Sequence, residues 1–319
     1  ERPPASLDYE QIDWYPLGEE LASRCIGAQA AHVARHHPLL SERALIEQHM
    51  GLVLETMTLI ENGDPPALAA VETLAPLLAR ASRHAVLGAE QLLAVSRAIR
   101  ACNELRRFYR LRAEDAPLGW LVAEPIRAFE EIQARLDSTF TADGQLADHA
   151  SPDLGRLRKR VLKLNETMRS RLEDKIKSRE LEPLLQDAFY TQREGRYVLP
   201  IRVQARSQLE GIVHASSGSG QTVFVEPADL VEGNNEIRLA DIEVQEEEER
   251  ILRVLTQLVG KVAVELTQNV RRLIYLDLVH AGARLSHALG SERPAIGPQL
   301  DVQVARHPLL TLRFAAEDK

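Results

Sequence analysis

Two long runs of apolar residues in steps of three and four, separated by a stretch that alternates in steps of two, limit what this chain can fold into. The first run passes through Leu154, Leu157, Val161, Leu164, Met168, Leu172 and Ile176. The second passes through Leu239, Ile242, Ile251, Leu255, Leu258, Val262, Leu266, Val270 and Leu273. Steps of three and four keep one face of a helix apolar. Helices are therefore expected over residues 153 to about 188 and 235 to about 289, the first extending about 50 Å at 1.5 Å per residue. Neither stripe is wide enough for burial all round, so the two narrow seams are expected to pack against each other as an antiparallel helical hairpin.

Between them, Tyr197, Leu199, Ile201 and Val203 alternate with Val198, Pro200 and Arg202, and β-branched residues recur at Ile212, Val213, Thr222, Val223 and Val225. That pattern suits a half-buried sheet. Gly195, Gly211 and the run Ser217-Gly218-Ser219-Gly220 punctuate it, and the last of these predicts a hairpin connection in which glycine supplies positive φ. Pro200 cannot donate to a ladder, which places its strand at an edge or a bulge. The expectation is a small three-stranded antiparallel sheet over about 189–234, at the far tip of the helical arm.

Upstream, residues 17–34, 41–61, 67–81, 89–111 and 124–140 show helical periodicity between breaks at His37-Pro38, 62–66, Gly88 and 114–117. Downstream, Gly290 and Gly297-Pro298 end the second long helix, and 300–304 alternates as a strand. The fold class expected is mainly α with a small β part. Three parts follow: a helical core domain over 1–149, an antiparallel helical arm carrying the sheet over 150–290, and a linker with one strand over 291–319. At 319 residues there is room for about two domains.

Cys25 and Cys102 are far apart and lack metal-type spacing, which predicts free thiols in a reducing cytoplasm. No window is apolar for long enough to span a bilayer, and no basic segment with an apolar core opens the chain. It begins on Glu1 rather than Met and stops at Lys319 without an obvious end, as a piece of a longer protein would. The formal net charge of −8 argues against non-specific nucleic-acid binding by the whole. Its distribution is uneven: 14 basic against 22 acidic residues before Pro152, 14 against 8 from Asp153 to Arg206, and 7 against 13 from there to Gly290. Only the first long helix and first strand are basic, and a local patch can hold a polyanion on an acidic protein.

Several blocks carry a family resemblance: Arg193-Glu-Gly-Arg-Tyr-Val-Leu-Pro200, Gly211-Ile-Val-His-Ala-Ser-Ser-Gly-Ser-Gly-Gln-Thr-Val-Phe-Val-Glu-Pro227, Val231-Glu-Gly-Asn-Asn235 and Ala305-Arg-His-Pro-Leu-Leu310, with Leu7-Asp8-Tyr9 and Glu55-Thr56 upstream. In this order they resemble the MutS family, in particular its second bacterial branch, MutS-two. The resemblance implies a core and lever region, a hairpin and sheet acting as lever arms and clamp, and the first strand of an ATPase domain from Leu300. ATP and Mg are implied for that ATPase domain, and an Smr nuclease for the full length. No Gly-x-x-x-x-Gly-Lys-Ser/Thr occurs in this chain, so no cofactor and no enzymatic step are expected within it. Implied roles are binding of branched DNA with suppression of recombination or, alternatively, engagement of stalled or collided ribosomes through ribosomal RNA. In both cases a cytoplasmic homodimer is implied. A dimerising scaffold without nucleic acid is the third class.

The residues expected to touch nucleic acid are Arg193, Arg196, Arg202 and Arg206 on and beside the first strand, and Lys175, Lys177 and Arg179 on the helix leading into it. Cations spaced along a strand and a helix can track phosphates without reading bases. The competing reading is a solvated helix face with pairs such as Glu173 with Lys177. Resemblance favours contact for the arginines over the lysines. Arg156, Arg158, Lys159, Arg160 and Lys163 read as structural, and Glu246 to Glu249 as a wet helix face. His32 and His36 share a face at i, i+4, but no nearby Cys or carboxylate completes a metal site. His214 near Ser216 and Ser217 lacks a third group to orient it for nucleophilic chemistry. Phe129-Glu130-Glu131 and Phe224-Val225-Glu226 match the Phe-x-Glu wedge of true MutS only formally.

Overall fold

The computed structural model describes residues 12–37, 39–218, 220–299, 301–302 and 304–317. Its helices are α1 (Trp14–Ala22), α2 (Ala28–Arg35), α3 (Arg43–Glu61), α4 (Ala75–Ser82), α5 (Ala89–Arg110), α6 (Pro117–Ala123), α7 (Glu130–Thr139), α8 (Pro152–Ile176), α9 (Val231–Lys261), α10 (Ala263–Leu289) and α11 (Pro308–Glu317). Between α8 and α9 lie β1 (Thr191–Arg193), β2 (Arg196–Arg202), β3 (Gly211–Ser216) and β4 (Thr222–Pro227). The expected class, mainly helical with a small sheet, is what the chain forms. Residues 139–252 form one compact unit, and residues 1–138 with 253–319 form another.

In the first of these units, α8 and the start of α9 run antiparallel. Ser151 Oγ donates to Glu247 Oε1 at 2.5 Å, Arg160 pairs with Glu243 at 2.9 Å, and Gly233 sits where a Cβ would come within 2.5 Å of Met168 Cε. Ser151 also caps α8, accepting from the Leu154 N–H at 3.0 Å, with Pro152 in the first turn. The helix stops at Ile176, well short of 188, and its 25 residues span about 37 Å. Beyond it, Ser178 Oγ accepts from the Leu181 N–H and Pro183 has no N–H to give, so Leu181 and Leu185 reach the same core from non-helical backbone. The seam on α9 departs from the expected phase in its first turns and rejoins it at Ile251 and Leu255. Ile237, Ala240 and Ile251 are buried, whereas Leu239 is 59% and Ile242 41% exposed. Asn234 and Glu247 occupy seam positions, and hydropathy alone scores both as surface.

The sheet has four strands, in the order β1-β2-β4-β3, all antiparallel. The expected three omitted β1, which is three residues long and too short to alternate. It is joined to β2 through Glu194 (φ 51°) and Gly195 (φ 75°), two positive-φ residues as a tight twisted hairpin requires. Pro200 lies inside β2 and not at a bulge. Its carbonyl accepts from the Gln186 N–H on the side away from β4, so the absent N–H faces that same side and takes nothing from the β2–β4 ladder. Tyr197, Leu199, Ile201 and Val225 pack on Met168, Leu172, Ile176, Leu230 and Ile237 in one core.

In the other unit, α10 lies against α1 to α6 and α11. Leu52, Leu92, Ile99, Leu105, Leu266 and Leu273 are buried there. The expected helix over 17–34 is two, because Asp277 accepts from the Ile26 and Gly27 N–H groups (2.9 and 2.7 Å) and so caps the start of α2. The expected helix over 67–81 shortens to α4, and α6 and α11 appear where none was expected. The long second helix is interrupted at Val262 (φ −113°, ψ 11°), a one-residue break that leaves Leu258 and Leu266 in phase and so leaves no trace in the periodicity. The described residues of 300–304 carry no strand; Leu300 and Gln303 lie outside the described residues. No described helix is long and apolar enough to cross a membrane.

A Cβ at Gly211 would stand 2.2 Å from the carbonyl oxygen of Glu226, which is backbone and cannot swing aside. Gly211→Ala is expected to destabilise the sheet unit by about 1–3 kcal/mol, as overpacking does, read as faster amide exchange in β3 and β4 with α5 unchanged.

Candidate nucleic-acid interface

Register decides which side chains share a face of the sheet. Tyr197, Leu199, Ile201, Val223 and Val225 face the helices. The intervening residues therefore line the opposite face: Arg196, Val198, Pro200 and Arg202 on β2, Arg193 opposite Arg196, and Phe224 opposite Pro200. Three of the four expected arginines thus share one face. Arg206 is not among them; it lies in the 3₁₀ segment Val203–Gln208.

At the base of that face is Glu226, with no exposed surface. Arg196 Nη1 donates to its Oε1 at 2.7 Å, Asn234 Nδ2 donates to the same oxygen at 2.9 Å, and His214 Nε2 stands 2.6 Å from Oε2. Burial acts to raise the carboxyl's pKa, but the hydrogen bonds from Asn234, His214 and Arg196 outweigh it and hold the group below the ordinary glutamate range. Asn234 does a second job: its Oδ1 accepts from the Tyr197 N–H (2.9 Å) and its Nδ2 donates to the Tyr197 carbonyl (3.1 Å). It satisfies Tyr197 as a neighbouring strand would, from the first turn of α9. The remaining Arg196 Nη2 donates to Asn235 Oδ1 at 2.7 Å.

These bonds sort the expected contact residues. Arg196, 18% exposed, is spent on Glu226 and Asn235. Arg206 donates to the carbonyls of Leu209 and Gly211 (2.7 and 2.8 Å) and so closes one end of the free edge of β3. Arg193 is exposed, with its guanidinium 4.4 Å over the Phe224 ring. Lys175 pairs with Asp229 at 2.7 Å. Arg202, Lys177 and Arg179 are exposed and have no hydrogen-bond or ion-pair partner among the described residues. Leu185 bridges Ile201, and Glu182–Leu184 packs against the Val203–Gln208 segment, so part of the stretch following α8 lies beside the end of β2 that carries Arg202.

Other sequence expectations shift as well. Arg156 pairs with Asp153, Arg158 with Asp148 and Glu248, and Arg160 with Glu243. Lys159 and Lys163 are exposed without a partner among the described residues. The Glu246–Glu249 run is not uniformly wet: Glu247 is buried, accepting from Ser151 and from Arg250 Nε at 2.6 Å. His214 does have an orienting carboxylate, Glu226, but that carboxylate is committed to Arg196 and Asn234. Ser217 Oγ accepts from the Thr222 N–H and Gly220 has φ 69°, so the glycine-rich stretch is a β3–β4 hairpin. It lacks the strand-to-helix turn that aims amides at phosphates. His32 and His36 stack at 4.6 Å, and no group of three or more metal-ligating side chains occurs among the described residues.

No protein-family model matches the chain. It is 30% identical over 321 residues to Endonuclease MutS2 of Lactiplantibacillus plantarum, covering 97% of this chain and 39% of that protein. It is 35% identical over 235 residues to Endonuclease MutS2 of Pelotomaculum thermopropionicum (73% and 30%) and 33% identical over 238 residues to the Putative endonuclease MutS2 of Bacillus subtilis (73% and 30%). The chain belongs to the MutS2 family. It spans about a third of the length of these relatives. The MutS2-like blocks turn out to be structural neighbours: Arg196-Tyr197, Glu226 and Asn234-Asn235 are the members of the buried network, and Glu55 accepts from the Leu118 and Gly119 N–H groups to cap α6. Composition had no means of showing that these residues bind one another.

Because the Glu226 carboxyl is depressed in the folded state, its contribution is full above the ordinary glutamate pKa and is lost as pH falls through the lower folded value. Glu226→Gln is expected to cost about 3–5 kcal/mol at pH 7, the range for leaving a buried ion unpaired. The gap in thermal midpoint between wild type and Glu226→Gln should narrow as pH is lowered below about 4.

Proposed function

We propose that this part of a MutS2-family protein grips nucleic acid by its phosphates, with the sheet unit acting as the clamp. One observation carries the reading. Lys177, Arg179 and Arg202 stand exposed in this unit with unpaired side chains, while Lys175 and Arg206 are held by a carboxylate and by carbonyls. An unpaired surface guanidinium or ammonium pays no exchange of partners when it meets a phosphate. Glu180 and Glu182 lie in the same stretch and moderate the patch. Lys159 and Lys163, one turn apart on α8, supply a second pair of unpaired cations along the helix.

The finer proposal is branched DNA as substrate, with suppression of recombination as the outcome, in a homodimer whose remaining two thirds supply ATP turnover and cleavage. Binding is then the part performed by this chain. The relatives' printed name, endonuclease, agrees with a nucleic-acid substrate.

Lys177→Glu/Arg179→Glu/Arg202→Glu is expected to weaken binding to a four-way DNA junction and to flatten its log–log salt dependence by about 2.7, at about 0.9 per lost phosphate contact. Unchanged affinity and slope would remove these residues from the interface. Loss of co-sedimentation with translating ribosomes in the same variant, with junction binding intact, would favour ribosomal RNA as the partner.

A further inference from the structure

Helix α5 carries a second cationic surface, in the helical unit, that the regional charge count conceals. Residues before Pro152 are acidic in sum, yet Arg97, Arg100, Arg106, Arg107 and Arg110 all fall on α5, against Glu90 and Glu104. Arg100, Arg106, Arg107 and Arg110 line a groove of about 380 Å³ closed on its other side by Ala128, Glu130 and Gln133. Arg107 and Arg110 are exposed and have no hydrogen-bond or ion-pair partner among the described residues. Arg106 lies 5.7 Å from the centre of the Trp120 ring, and its one hydrogen bond, to the Glu124 carbonyl, is long at 3.4 Å. Arg100 is paired with Asp137 at 2.8 Å, but both partners are exposed, and such pairs contribute little. Arg112, by contrast, is held by Asp64 and over the Phe108 ring and takes no part.

The groove also holds an unmet polar group. Asn103 donates to Gln133 Oε1 at 2.8 Å, and its own Oδ1 is buried with no partner. Buried amide oxygens are seldom left so, and this one calls for a donor. Guanidinium groups suit the oxygens of a phosphate. Glu104 and Glu130 share the lining, so four guanidiniums stand against two carboxylates.

We infer that the α5 groove is a second phosphate-backbone contact, through which the helical unit holds a nucleic-acid strand independently of the sheet unit. The site positions and does not read sequence, because its charged groups address phosphates.

The test compares Arg107→Gln/Arg110→Gln with Arg97→Gln, which also removes charge from α5 but outside the groove, in binding of the chain to linear duplex DNA across a salt series. The double variant should flatten the log–log slope by about 1.8 relative to Arg97→Gln. Glu104→Gln should tighten binding about two- to fivefold, the scale of an exposed charge pair, a gain that loss of folding does not produce. If the double variant matches Arg97→Gln and Glu104→Gln changes nothing, the inference is wrong. It is equally overturned if the double variant loses self-association in sedimentation while DNA binding holds, which would make the groove a seat for an acidic protein surface. Running the series in the Lys177→Glu/Arg179→Glu/Arg202→Glu background separates the two sites. A slope change from α5 alone refutes the clamp reading and keeps this one, and a change from the sheet unit alone does the reverse.

Discussion

A single buried carboxylate ties the sheet to its helices. Glu226 has no solvent contact, yet remains ionised because Arg196, Asn234 and His214 converge on its two oxygens from β2, α9 and β3. A buried ion so surrounded is of little net benefit over an apolar core, but removing any one partner exposes the desolvation of the rest. The arrangement therefore acts as a lock on geometry. It fixes the register of β2 against β4, and through Asn234 it fixes the Tyr197 backbone to the first turn of α9. Tyr197 passes the constraint on to α8, donating from its hydroxyl to Asn165 at 2.8 Å and accepting from Arg169 at 3.2 Å.

That lock determines which cations remain for a partner. Arg196 and Arg206 have their donors directed at protein oxygens, and Lys175 is held by Asp229. Among the cations whose side chains have no partner among the described residues are Lys177, Arg179 and Arg202, Lys159 and Lys163 on α8, and Arg107 and Arg110 on α5. At each of these places, availability follows from the absence of a carboxylate bound to the cation and not from the local density of basic residues. Arg158 makes the contrast plain: it sits in the most basic stretch of the chain, and Asp148 and Glu248 both hold it at 2.7 Å.

Much of the fold was legible because it is written in periodicity. The apolar steps of α8, the alternation of β2 and the Ser217–Gly220 turn each depend on neighbours in sequence, and each formed where expected. Failures came where a polar side chain replaces a backbone or apolar partner from a distance. Asp277, some 250 residues from Gly27, splits the first helix; Asn234 and Glu247 fill seam positions and shift the phase of α9. The candidate site was legible only in part for the same reason. Arg196 and Arg202 are alternate residues of one strand and look equivalent in sequence, yet one is bound to a buried glutamate thirty residues away and the other is free among the described residues. The family motifs helped with identity more than with contact, since the residues they share are those that build the lock.

Glu226 and Arg196 hold the sheet unit together as a coupled pair, and under the proposed function contact with nucleic acid falls to cations outside that pair. A double-mutant cycle on unfolding, with Arg196→Met, Glu226→Gln and the combined variant, measures that coupling directly. A stabilising interaction energy of about 1.5–3 kcal/mol, at the upper end of what contacting residues show, is the predicted result. Additive single-variant losses, with a coupling below about 0.5 kcal/mol, would show that the two residues act separately and would contradict the claim.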